Sequence, residues 1–273
     1  MTKPLALIFS GYGLNCEEET LRAFEMSGAR GQIVHINDVI EKPSMLEKVQ
    51  IIAMPGGFSY GDDTGSGKAY GNRLRGHLGG MLQKFFERDT LTIGICNGFQ
   101  ILTAAGILPG ALIANDSGRY LCRWVDLKVA EESPWLSGME RFSLPIAHGE
   151  GKYYASLDVL DSLSAEGGSL PDRQAGAFGG KKENAIALKY VSGEVSSHFD
   201  MPPNPNGSIE NIAGVTARNG RILGLMPHPE RAVSFFQLPH WTYLKERLLR
   251  SGEPLPTEGP GLQIFRNAVH YFS

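Results

Sequence analysis

The first hundred residues alternate short apolar runs with helix-period patterns, and few architectures accommodate that alternation. Pro4 to Phe9 reads as a strand, and Glu17 to Met26 as a helix with its acidic residues placed early, where the helix dipole favours them. Ile33 to Ile36 and Val49 to Met54 read as the next two strands. From Leu74 onward Leu78, Met81, Leu82, Phe85 and Phe86 recur every three or four residues and form one buried helical stripe, after which Leu91 to Ile95 reads as a central strand. Strands separated by helices are the signature of βαβ units, so the expected fold class is α/β, a doubly wound and mainly parallel sheet.

Beyond Gly110 the alternation weakens. Trp124 to Val129 and Ala185 to Tyr190 look β-like, and Ile212 to Ala217 with Arg221 to Met226 reads as a hairpin across Asn219-Gly220, a pair suited to a type I′ turn. Gly167 to Lys182 is glycine-rich and polar, which predicts a surface excursion rather than a second core. A chain of 273 residues with 42% hydrophobic content can bury one large core, and we read residues 1–273 as a single domain with a β-rich C-terminal part.

The net charge of −3 and a pI near 6.2 give no electrostatic reason to expect nucleic acid or an anionic membrane as a partner. Cys16, Cys96 and Cys122 are odd in number and too far apart for a CxxC pair, which suits a reducing, cytoplasmic setting. The apolar run before Gly11, about six residues, is too short for a leader or a membrane span.

Gly94-Ile-Cys-Asn-Gly98 places a cysteine where an apolar strand meets a helix, Asn97 to Ala105. Small flanking residues permit a sharply turned nucleophile, and a helix N-terminus favours a thiolate. A buried structural cysteine is the plain alternative. A nucleophile needs a base, and the base an orienting partner. His228 and Glu230, one residue apart between prolines, are expected to project to one face of an extended segment. Alone, such a pair is a weak signal.

Met54-Pro-Gly-Gly-Phe-Ser-Tyr-Gly-Asp62 offers a glycine turn whose N–H groups suit an oxyanion hole, although Gly-Gly on its own marks no more than a tight turn. A phosphate loop is excluded, since Asp62 stands where its first glycine belongs and Ala69 where Ser or Thr belongs. His148-Gly-Glu150 is a second H-x-E, but no further ligands stand at metal-site spacing, so no metal is expected. Cys16 and Cys122 read as structural.

Taken together, these elements resemble the class I glutamine amidotransferases, whose nucleophile, base and acid follow this order. Pro55-Gly-Gly-Phe-Ser-Tyr-Gly-Asp62, His148-Gly-Glu-Gly151, Asn204-Pro-Asn-Gly-Ser208 and Gly224-Leu-Met-Pro-His-Pro-Glu-Arg231 are similar to the glutaminases of phosphoribosylformylglycinamidine (FGAM) synthases of purine biosynthesis. The resemblance runs from Asn15-Cys16 to about Phe265. It implies a flavodoxin-like glutamine amidotransferase type 1 domain in which Cys96 attacks the side-chain amide of glutamine. His228 then serves as the proton carrier and Glu230 orients it. Gly56, Gly57, Phe58, Asn97 and Gln100 would form the oxyanion and glutamine-binding set, with His148 and Glu150 as supporting or interface residues.

It implies no cofactor in this chain, with ATP and Mg on a partner FGAM synthetase large subunit. A further candidate partner is a small accessory subunit. Asp62 to Lys68, within segment 62–72, differs from the family pattern and segment 167–182 is longer than in compact members; both bear on interfaces. Competing readings are the glutaminase of another complex, such as pyridoxal phosphate or anthranilate synthesis, a catalytically silent regulatory subunit, and a cysteine redox sensor. The Gly-Phe-Ser-Tyr-Gly-Asp and Pro-His-Pro-Glu-Arg blocks oppose the first. The intact Cys96, His228 and Glu230 oppose the second, and the lack of a resolving cysteine near Cys96 in sequence opposes the third.

Overall fold

A computed structural model describes residues 3–62, 65–164 and 185–273. The strands are β1 (Leu5–Ser10), β2 (Arg30–His35), β3 (Ile51–Met54), β4 (Leu91–Ile95), β5 (Ala111–Ile113), β6 (Leu121–Val129), β7 (Arg141–His148), β8 (Lys152–Tyr154), β9 (Ala185–Val191), β10 (Ile212–Ala217) and β11 (Ile222–Leu225). The helices are α1 (Glu17–Met26), α2 (Ile36–Glu41), α3 (Lys68–Glu87), α4 (Asn97–Ala104), α5 (Leu157–Ser164), α6 (Glu194–His198), α7 (Trp241–Ser251) and α8 (Leu262–His270).

Nine strands form one sheet in the order β2-β1-β3-β4-β11-β10-β9-β6-β7, and β5 pairs with β8 alone. The five strands from β2 to β11 are parallel, as the alternation of the first hundred residues requires. Strands β10, β9, β6 and β7 extend that sheet with antiparallel pairing, which is where the βαβ pattern fades from the sequence. Helix α1 packs against β1, β2 and α8, with Phe24 edge-on to Phe265 at 4.9 Å between ring centroids. Helix α4 packs on β3, β4 and α3. Strands β3 and β4 are buried at every position, which explains their uninterrupted apolar runs.

Several boundaries differ from the sequence reading. Strand β2 starts at Arg30 and Ile36 belongs to α2, because β2 is an edge strand whose first three residues need not be apolar. Helix α3 begins at Lys68, since its first turn is buried through Tyr70 and Gly71, residues that a count of aliphatic positions passes over. Strand β6 begins three residues before Trp124. The hairpin forms, but Ala217 faces Ile222, so four residues close it; Arg218, Asn219 and Gly220 all take positive φ, and the two-residue type I′ turn is absent. The stretch Gly167 to Lys182 lies outside the described residues. Among the described residues no helix is long and apolar enough to cross a membrane.

Candidate active site

The Cys96 turn is built by close approach. Cys96 sits between β4 and α4 at φ 52° and ψ −107°, a backbone conformation that L-residues rarely adopt and that neighbouring packing has to enforce. That packing comes from the two glycines. A Cβ at Gly94 would lie 2.7 Å from the Gly98 carbonyl oxygen, and one at Gly98 would lie 1.8 Å from the Met54 carbonyl oxygen. With glycine at both positions α4 can press onto β3 and β4, and Cys96 is held with its N–H donating to Leu225 O at 2.8 Å. Cys96 is 5% exposed, and its sulfur lies 3.6 Å from Ala147 O.

Strand β11 delivers the imidazole. Because β11 runs parallel beside β4, with Leu225 opposite Ile95, the chain leaving β11 passes the Cys96 turn within a few residues. The His228 N–H donates to Pro145 O at 2.8 Å, and Nδ1 lies 2.5 Å from Glu230 Oε1. The sequence reading placed this pair on one extended face; instead, Pro229–Arg231 forms a short 3-10 turn that swings Glu230 under the ring. Both residues are 2% exposed. Burial opposes charging His228, but the carboxylate of Glu230 and the neighbouring Cys96 outweigh it and hold the imidazole well above its ordinary value. The ring is therefore ready to hold a proton beside the Cys96 sulfur.

Around this pair the remaining expected residues take distinct places. Gly56 lies under the imidazole, where a Cβ would be 2.8 Å from His228 Cε1, and its carbonyl accepts the N–H groups of Asn15 and Cys16. Gly57 forms a bridge with Leu14, and the Phe58 N–H donates to Gly13 O, so that donor is engaged inside the protein. The half-exposed Phe58 ring stands 6.0 Å from that of Tyr120. The first N–H groups of α4, at Asn97 and Gly98, have no acceptor within their own helix.

The Asn97 side chain is buried; it accepts from the Ser59 N–H at 3.1 Å and donates to Gln100 Oε1 at 2.7 Å. Gln100 in turn donates to Glu150 O at 2.5 Å, so both ends of its amide are engaged by protein groups. Glu150 accepts from the Ser66 N–H through Oε2, and Gly67 lies against the backbone of Gln100 and Ile101, which ties the described part of segment 62–72 to α4. His148 is buried beside Asn115, and burial, aided by the charge of His228, lowers it to about 4.

Two residues here escaped sequence reasoning. Cys16, read as structural, is buried against His228 and Glu230, with Arg231 Nη2 donating to its sulfur at 3.0 Å. Arg231 also stands 3.9 Å from Glu230 Oε1 and from Glu19 Oε1. Its place directly after Pro-His-Pro-Glu was the available signal, whereas the partnership with Cys16 spans nearly the whole chain. Among the described residues, the ligand atoms of Cys16, His228 and Glu230 lie within 4.8 Å of one another. The guanidinium on Cys16 and the short Nδ1 contact to Glu230 make this a hydrogen-bonded charge network that disfavours a further cation.

Residues 3–272 match the family model for a CobB/CobQ-like glutamine amidotransferase domain. The chain is 40% identical to the phosphoribosylformylglycinamidine synthase subunit PurQ of Methanococcus maripaludis, covering 99% of this chain and 98% of the relative. It is equally 40% identical, at the same coverage, to the protein of that description from Dehalococcoides mccartyi. Among solved structures, that of PurLQS from Thermotoga maritima aligns over 100% of both chains with a TM-score of 0.70 and 30% identity. The chain belongs to the CobB/CobQ-like glutamine amidotransferase family.

Proposed function

We propose, from that membership, that this chain is the glutaminase subunit of a phosphoribosylformylglycinamidine synthase. It releases ammonia from glutamine for an ATP-dependent synthetase subunit of purine biosynthesis. The carrying observation is the strained Cys96 turn set beside the buried His228–Glu230 pair. Full-length 40% identity to relatives of that description supports the specific complex, and the likeness to PurLQS supports assembly with a synthetase and a small accessory subunit.

In this reading the Cys96 sulfur attacks the side-chain carbonyl carbon of glutamine. The oxygen takes up negative charge and is met by N–H groups at Gly57 and at the start of α4, donors typically worth about 2.7 to 4 kcal/mol each. His228 gives its proton to the departing nitrogen, the C–N bond breaks, ammonia leaves and a thioester remains. Water then attacks the thioester, its proton passing to His228, and glutamate departs as sulfur is released. Glu230 keeps the imidazole in the orientation both steps require. Asn97 and Gln100 hold the Cys96 turn against the Ser59 and Glu150 loops, and Phe58 with Tyr120 borders the approach.

Residues 1–273 act as one type 1 amidotransferase domain without a cofactor of its own, in the cytoplasm, with ATP and Mg belonging to the synthetase. The test is glutamate release from glutamine by the purified chain, alone and with the synthetase subunit, nucleotide and formylglycinamide ribonucleotide. Stimulation on mixing is expected. No release in either condition, with Cys96 reduced, refutes the reading.

A further inference from the structure

Three buried polar atoms without a hydrogen-bond partner share one face of the antiparallel half of the sheet: His148 Nε2, the Tyr190 hydroxyl and Arg123 Nε. Directly opposed residues point to the same side, and Leu121 faces His148, Arg123 faces Ile146, and Leu127 faces Tyr190. Positions 121, 123 and 127 alternate along β6, so all three groups lie on that side. Buried polar groups without partners are rare in folded proteins, and three on one face call for a ligand able to hydrogen-bond.

The lone pair of His148 is fixed in place. Asn115 Nδ2 donates to Arg119 O at 2.8 Å and to His148 O at 2.9 Å, while its Oδ1 accepts the Gly151 N–H at 3.0 Å. That oxygen therefore faces His148 Nδ1, 3.1 Å away, so the ring proton sits on Nδ1 and Nε2 is left as an acceptor. The ring lies flat on the next turn, because residue 151 has no side chain: a Cβ there would be 2.2 Å from Cε1. Both ends of the row lie within electrostatic reach of the site, His148 of His228 and Tyr190 of Cys96.

We propose that His148 Nε2 is the first acceptor for ammonia released at Cys96, and that Tyr190 and Arg123, on the same face, continue its path. The proposal rests on the glutaminase reading above. Ammonia donates an N–H to Nε2 and accepts the Tyr190 O–H with its lone pair; no covalent bond changes. The chemistry demands groups that do not protonate the passenger, since ammonium has no lone pair with which to attack. His148, lowered to about 4, is a neutral imidazole at neutral pH with Nε2 unprotonated, and burial pushes Tyr190 far above its ordinary value against the smaller opposing pull of the nearby Asn206. Arg123, partly buried, donates to Pro202 O and lies within electrostatic reach of Tyr190.

The test uses the reconstituted complex with amide-15N glutamine and excess unlabelled ammonium in bulk, reading glutamate release and the 15N content of the amidine product together. The wild-type complex should deliver mostly labelled nitrogen. His148→Phe should keep glutamate release while labelled delivery falls about tenfold, the scale of one lost hydrogen bond. Unchanged labelling overturns the proposal, as does loss of glutamate release from a folded variant, which would place His148 in the glutaminase step. If His148→Phe does not fold, Tyr190→Phe, which removes only the hydroxyl, decides by the same ratio. Absence of glutamate release from the wild-type complex refutes the glutaminase reading instead.

Discussion

Replacing Gly98 with alanine should disable the site without touching any reacting group. The added Cβ would lie 1.8 Å from the Met54 carbonyl oxygen, whereas carbon and oxygen in close contact ordinarily sit about 3.3 Å apart. The obstacle is backbone of a fully buried strand, so the start of α4 has to retreat by more than about 1 Å, taking Cys96 and Asn97 with it. A misplacement of about 1 Å costs roughly 100-fold in rate, and overpacking costs about 1 to 3 kcal/mol of stability. Gly80→Ala in α3 is the control, because nothing lies within 4 Å of its Cβ; it should leave the rate unchanged and raise stability by about 0.5 to 1 kcal/mol. Glutamate release and thermal unfolding measure both. A folded Gly98→Ala retaining near-wild-type kcat/KM would refute the close-approach account of the turn.

Glu230→Gln removes the charge that holds His228 up, so the limb of the pH–rate profile governed by that imidazole should move to lower pH and kcat should fall by about 100-fold or more; an unmoved profile removes Glu230 from its role. Cys96→Ala should abolish glutamine-dependent synthesis by the complex and spare ammonia-dependent synthesis, and loss of both would contradict the division of labour. His148, lowered from 6.5 to about 4 by burial and the facing His228, binds its proton less readily folded than unfolded, so its contribution declines as pH falls from 6.5 toward 4, by about 3 kcal/mol in all. Urea unfolding at pH 7 and pH 4.5 should show a shallower loss for His148→Phe than for wild type.

Much of the parallel half was legible because buried strands and amphipathic helices carry their periods in the residues themselves. Helix α1 and strand β10 fall where the pattern puts them, at Glu17–Met26 and Ile212–Ala217. The antiparallel half was less so. Strand β7 carries Pro145 and alternates half-buried with buried residues, and α7 and α8 follow the last motif without a strand to frame them. The Cys96 turn announced itself through its glycines, since a close approach leaves a local trace. What Asn97, Gln100, Asn115 and Cys16 do was not visible, because their partners, Ser59, Glu150, His148 and Arg231, are brought close only by the completed sheet.

The seam between β4 and β11 joins an early part of the chain to a late one. The sulfur arrives with the first βαβ units, whereas the imidazole and its carboxylate arrive only after the antiparallel strands have threaded β11 into the middle of the sheet. In the mechanism proposed above, a nascent or partly unfolded chain thus has a thiol with no proton carrier beside it. Competence to cleave an amide becomes a certificate of finished folding, issued when the last strand is inserted and withdrawn as soon as it leaves.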